Sequence, residues 1–169
     1  GFVAGTGSAL DFGLFAATGN YTVVATNSLT SCTNNMNGSA VVGVSPLPAT
    51  HLVTGGGNYC TGSTGVHIGL NGSNTGSTYQ LFNGTTPMGA PFAGTGLALD
   101  FGLQTAAGTY TVVGMNTITC TNTMTGSATV GVDPLPTTYT LTGGGNYCSG
   151  GTGVDISLSG SDAGTNYQL

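Results

Sequence analysis

Thr54-Gly55-Gly56-Gly57-Asn58-Tyr59-Cys60 leads into Gly65-Val66-His67-Ile68-Gly69-Leu70, and the same passage returns as Thr142 to Cys148 followed by Gly153-Val154-Asp155-Ile156-Ser157-Leu158. A match this close makes internal repetition the first fact about the chain. In Val66, Ile68 and Leu70 the apolar residues alternate, which is the period of a half-buried strand. The three glycines permit an unusual backbone path beside the cysteine. They do not read as a phosphate loop, because no helix start and no Lys in Walker spacing follow.

Other landmarks repeat at nearly the same spacing. Gly5 to Gly13 recurs as Gly94 to Gly102, and Gly19-Asn20-Tyr21-Thr22-Val23-Val24 as Gly108-Thr109-Tyr110-Thr111-Val112-Val113, both 89 residues on. Cys32 recurs as Cys120, Pro46-Leu47-Pro48 as Pro134-Leu135-Pro136, and Cys60 as Cys148, each 88 residues on. The period is therefore about 88 residues, the size of a small β-sandwich module. Proline stiffens a connector and cannot donate to a sheet ladder. We therefore place the boundaries at the two Pro-Leu-Pro segments.

The expected organisation is one complete module over 46–133, flanked by the second half of a module over 1–45 and the first half of another over 134–169. The chain is thus read as cut in mid-module at both ends. Leu169 matches Leu81, so the stretch equivalent to 82–89 is missing between one copy and the next. Within 46–133 we expect strands over 49–54, 65–71, 78–82, 97–102, 109–116 and 127–133, with a short one inside the poorly patterned 85–92. Tyr79 and Leu81 are expected to share one face, Leu99 and Phe101, and Ala128, Val130 and Val132, to point inward, and Asp100 outward.

Composition supports an all-β class. Of 169 residues 32 are Gly, and the chain has no Lys or Arg; its five acidic residues are all Asp. Strong helix formers are scarce, while Thr, Val, Tyr and Gly favour strands and tight turns. A chain without basic side chains has no means of binding nucleic acid by counterion release, nor of being drawn to an anionic membrane surface. No apolar run approaches the length of a membrane helix. So weakly charged a surface offers little resistance to self-association.

The motif Gly108-Thr109-Tyr110-Thr111-Val112, with its copy from Gly19 to Val23, looks like the Gly-x-Tyr stretch that opens strand F of immunoglobulin-like domains. There the Tyr forms a corner. With a Cys before the second strand, a Tyr-Gln-Leu third strand and a Cys after strand F, the pattern resembles the tandem immunoglobulin-like modules of very large secreted surface proteins of gliding-type bacteria. It departs from antibody domains in lacking the strand C Trp and in having Val112 two residues after the Tyr. The resemblance implies a stalk, adhesion or assembly role. The expected fold is a row of immunoglobulin-like β-sandwiches, extracellular or at the cell surface, and its expected partner is itself: adjacent repeats or identical subunits.

Four isolated cysteines at repeating positions suggest disulfides and an oxidising compartment. If the segments flanking Cys60 and Cys120 meet at one end of the sandwich, these two are neighbours, and we expect a Cys60–Cys120 bridge worth about 4 kcal/mol. By the same logic Cys148 is expected to pair with Cys32 of the next copy. His51 and His67 are read as surface strand residues rather than metal ligands, because the matched positions hold Tyr139 and Asp155. Asp11 and Asp100, one per module, fall short of the several oxygens a Ca²⁺ site needs. No catalytic constellation is expected, and no cofactor. The rival reading is an adhesin or glycan-binding module, with Tyr59, Tyr147, Phe82 and Phe92 as stacking surfaces.

Overall fold

A computed structural model describes all 169 residues. The chain is all-β, with 15 strands and no helix. It divides into two compact units, Gly1–Leu47 and Pro48–Leu169. In the first, β1 (Gly19–Tyr21) pairs antiparallel with β4 (Ala40–Val42), and β2 (Val24–Thr26) with β3 (Thr33–Asn35).

The second unit carries the main core. Its smaller sheet has β5 (Val53–Gly55), β7 (Val66–Leu70) and β10 (Leu99–Gln104), in the order β10-β7-β5. Its larger sheet runs β6-β13-β11-β8-β9, from β6 (Gly57–Cys60), β8 (Thr78–Asn83), β9 (Thr86–Ala93), β11 (Gly108–Met115) and β13 (Ala128–Asp133). A short β12 (Thr121–Thr123) folds back on β11. Beyond Pro136 lies one more antiparallel pair, β14 (Leu141–Gly143) with β15 (Ile156–Leu158).

Alternation decides which residues fill the core. Ile68, Leu70, Leu99 and Phe101 from one sheet meet Tyr79, Leu81, Tyr110, Val112, Ala128 and Val130 from the other in a single buried cluster. Asp100 points outward and is exposed. Each fully buried apolar side chain contributes about 1.5–3 kcal/mol. Both buried tyrosines have partners for their hydroxyls, which would otherwise be costly to bury. Tyr110 donates to Ala106 O at 2.8 Å, and Tyr79 accepts from Asn74 N at 2.8 Å. Val132, expected inward, is exposed. The ladder between β13 and β11 ends at Val130, so Val132 is paired only with β6.

The glycine run has a specific task. Gly55, Gly56 and Gly57 all have positive φ, at 89°, 83° and 120°. They carry the chain from β5 in the small sheet across to β6 in the large one. The transfer is tight: a Cβ on Gly55 would lie 2.1 Å from His67 O, and one on Gly56 2.7 Å from Thr129 O. Strand β6 was not expected from sequence. Its partner is parallel and 73 residues away, with Gly57 opposite Val130 and Cys60 opposite Asp133.

The poorly patterned 85–92 forms a full strand of eight residues, β9, paired with β8. It lies at the edge of the sheet, with much of its length exposed, so the alternation that marks a half-buried strand is weak. Pro87 and Pro91 on it cannot donate to a further ladder, which guards that edge against pairing.

Candidate functional site: unpaired strand edges and the two cysteine-bearing ends

The outer segments form short strand pairs among their own residues, at positions that match pairs of the central region. Tyr21 faces Ala40 as Tyr110 faces Ala128, Ala25 faces Asn34 as Gly114 faces Asn122, and Thr142 faces Ser157 as Thr54 faces Gly69. Side-chain details recur too. Tyr21 donates to Ala17 O at 2.8 Å, as Tyr110 does to Ala106 O, and Asp11 accepts from Gly13 N as Asp100 does from Gly102 N. His51 Nε2 lies 2.9 Å from Asn74 Oδ1, and at the matched positions Tyr139 donates to Asp162 Oδ1 at 2.8 Å. That bond holds the Tyr139 phenol above its ordinary value and Asp162 below its own.

What is missing from these segments follows one rule. Residues 10–15 match β10, 145–148 match β6, and 166–169 match the start of β8, yet none of the three forms a strand. In the central region β10 pairs with β7, β6 with β13, and β8 with β11. Each of those partners has its counterpart in the opposite outer segment. The apolar faces are correspondingly bare. Leu81 is 2% exposed and Leu169 90%; Ile68 is 0% and Ile156 50%; Phe101 is 7% and Phe12 43%.

The cysteines correct the expected pairing of Cys60 with Cys120. All four are free thiols, with Cys32, Cys60 and Cys148 exposed and Cys120 half-buried. The Cys60–Cys120 bridge is not formed, and strand direction is the reason. β6 runs parallel to β13, and β13 runs antiparallel to β11. Cys60 therefore ends β6 beyond the start of β11, whereas Cys120 lies in the turn after its last residue, Met115. An eight-residue strand separates them, more than about 20 Å, against the 7 Å or less that a disulfide requires between Cα atoms. The premise that the two flanking segments meet at one end does not hold. Cys32 and Cys148 are likewise free.

Cys120 and Cys60 instead lie where the chain enters and leaves the central region. Cys60 is the register partner of Asp133, the last residue of β13, and Thr61 N donates to Asp133 O at 2.9 Å. Cys120 N donates to Asn116 Oδ1 at 2.9 Å, and Asn122, two residues on, donates to Pro48 O at 2.8 Å. Pro48 and Cys120 thus define a leading end, and Asp133 and Cys60 a trailing end.

The other candidates lie apart from this. His67 Nδ1 and Asp100 Oδ2 are 2.8 Å apart on neighbouring strands, both largely exposed. The bond to His67, followed by that from Gly102 N, holds Asp100 below the usual carboxylate range. A lowered carboxylate stabilises above its unfolded value near pH 4, and that contribution fades as pH falls through the folded value. For so exposed a pair it is at most about 1 kcal/mol, and calorimetry of Asp100→Asn at pH 7 is expected to show no larger loss. No three His, Cys, Asp or Glu side chains gather as metal ligands would.

The aromatic residues do not share a surface. Phe92 faces Tyr79 in register and packs edge-on against Phe101 at 5.1 Å, whereas Phe82 belongs to the opposite face of β8. Tyr59 packs against the core and donates to Thr105 O, while Tyr147 is exposed on unpaired backbone. No protein-family model matches this chain, and the search of curated proteins finds none similar to it.

Proposed function

We propose that this chain is a structural repeat of an extracellular filament, stalk or cell-surface assembly, built of immunoglobulin-like β-sandwiches about 88 residues long. Each outer segment is one half of a sandwich, completed by the matching half in the next repeat or in a neighbouring subunit. One observation carries this reading: the strands that fail to form in each outer segment are those whose partner has its counterpart in the other. A half-sandwich cannot bury its apolar face alone, and strand addition from a partner supplies both the ladder and the cover.

The test is light scattering of the purified chain over a range of concentrations, with negative-stain microscopy. Mass rising in whole multiples of the monomer, abolished when 134–169 is removed, is the expected outcome. A monomer at every concentration overturns the proposal. Saturable binding to a defined sugar on a glycan array, without self-association, would replace it with the adhesin reading.

Joining the halves brings Asp155 to the position of His67, and Asp11 to that of Asp100. Two carboxylates then meet where the central region has a His–Asp contact, on diagonal positions, since Asp100 is in register with Gly69 and His67 with Leu103. Like charges brought together across neighbouring strands cost up to about 1 kcal/mol. Asp155→His restores the opposite-type pair, and analytical ultracentrifugation is expected to show tighter association by up to roughly fivefold.

A further inference from the structure

We propose that the cysteines form disulfides across the joints between successive modules: Cys60 of one copy with Cys32 of a second, and Cys148 of the first with Cys120 of the second. The proposal rests on the completed-module reading and adds a covalent lock to it. Chain direction carries the argument. The central region receives the chain beside Cys120 and releases it beside Cys60, with the two thiols at opposite ends. A module continued from Asp133 therefore presents its own leading end to Cys60.

The joint is short enough. Pro136 is the counterpart of Pro48, three residues after Asp133, a span of at most about 10–11 Å when fully extended. Cys60 sits one strand spacing, about 5 Å, from Asp133. On the far side, Asn34 of the second copy is the counterpart of Asn122, the residue that grips Pro48 O, and Cys32 lies two residues before it. The other joint has the same design. Cys148 falls beside Ser45 of the second copy, the counterpart of Asp133, and Pro46-Leu47-Pro48 leads to the leading end that carries Cys120. Three of the four thiols are exposed and the fourth is half-buried, so an oxidant can reach them.

Each bridge forms by thiol–disulfide exchange. One cysteine thiolate attacks a small-molecule disulfide and expels a thiolate. The second cysteine then attacks the mixed disulfide and expels the other. The two protein thiols lose two protons and two electrons, and the small-molecule disulfide is reduced to two thiols.

The experiment uses the full chain, assembled and then oxidised with glutathione disulfide. Non-reducing electrophoresis is expected to show a ladder of multimers that collapses to monomer with dithiothreitol. The chain has no Lys or Arg for trypsin to cut after, so digestion is with pepsin, whose acid pH also stops exchange. Mass spectrometry of the digest is expected to show Cys60–Cys32 and Cys148–Cys120 peptides. The variant Cys60→Ser with Cys148→Ser should still assemble but give no ladder. Oxidation should reduce dissociation on dilution at least tenfold in the unsubstituted chain and leave that variant unchanged. Assembly with four free thiols, or with Cys60 bridged to Cys120 or Cys32 to Cys148, overturns the joint disulfides and leaves the completed-module reading standing. A chain that stays monomeric after oxidation overturns both.

Discussion

Truncation of Tyr110 to Ala is expected to lower the unfolding free energy of the central region by about 4–5 kcal/mol, a large share of what a small domain possesses. The ring is fully buried among strands of both sheets. Its hydroxyl donates to Ala106 O, so truncation also leaves that carbonyl without its partner. Tyr21 occupies the matched position and makes the matched bond to Ala17 O, but its ring is only half-buried. Tyr21→Ala is therefore expected to change the stability of the unassembled chain by less than about 1 kcal/mol, while weakening self-association. Calorimetry and light scattering on the two variants separate these effects. Equal losses of monomer stability would mean that the first segment already has a complete core of its own.

Gly55→Ala is the second large effect. The residue sits at φ 89°, and the added Cβ would lie 2.1 Å from His67 O. A left-handed conformation costs a non-glycine residue about 1–2 kcal/mol, and overpacking against fixed backbone adds about 1–3 kcal/mol. A total loss of about 3 kcal/mol is expected in urea unfolding. Gly57→Ala is the control: its φ is 120°, but the space for a Cβ is open. That variant bears only the backbone strain and should lose about half as much. Equal losses would mean that the crossing between sheets is not held by the contact with His67.

Part of this molecule was legible in the residues alone. The absence of Lys and Arg and the abundance of Thr, Val and Gly indicated strands. Alternation placed Ile68, Leu70, Leu99, Phe101, Ala128 and Val130 inward and Tyr79 with Leu81 on one face, because a strand's two faces are fixed by a local period of two; it also placed Val132 inward, and that residue is exposed. Periodicity did not reveal β6 or β9. β6 is held by a parallel partner far along the chain, and β9 is an edge strand whose pairing to β8 needs no strict alternation.

The cysteines show the limit most clearly. Their spacing marked them as repeated elements, but not which of them are neighbours. Strand direction decides that, and direction depends on a parity summed over several ladders: one parallel step from β6 to β13, then one antiparallel step to β11. No local pattern records that sum.

The sequence by itself determined the β class, the spacing of about 88 residues between matched stretches and part of the inward-facing set, since each depends on neighbouring residues or on direct comparison of the chain with itself. Only the tertiary structure decided that Cys60 and Cys120 lie at opposite ends, that three glycines carry the chain between sheets, and that the strands absent from the outer segments are those with remote partners. These depend on hydrogen bonds between residues distant in sequence, which form only where the partner strand is physically present.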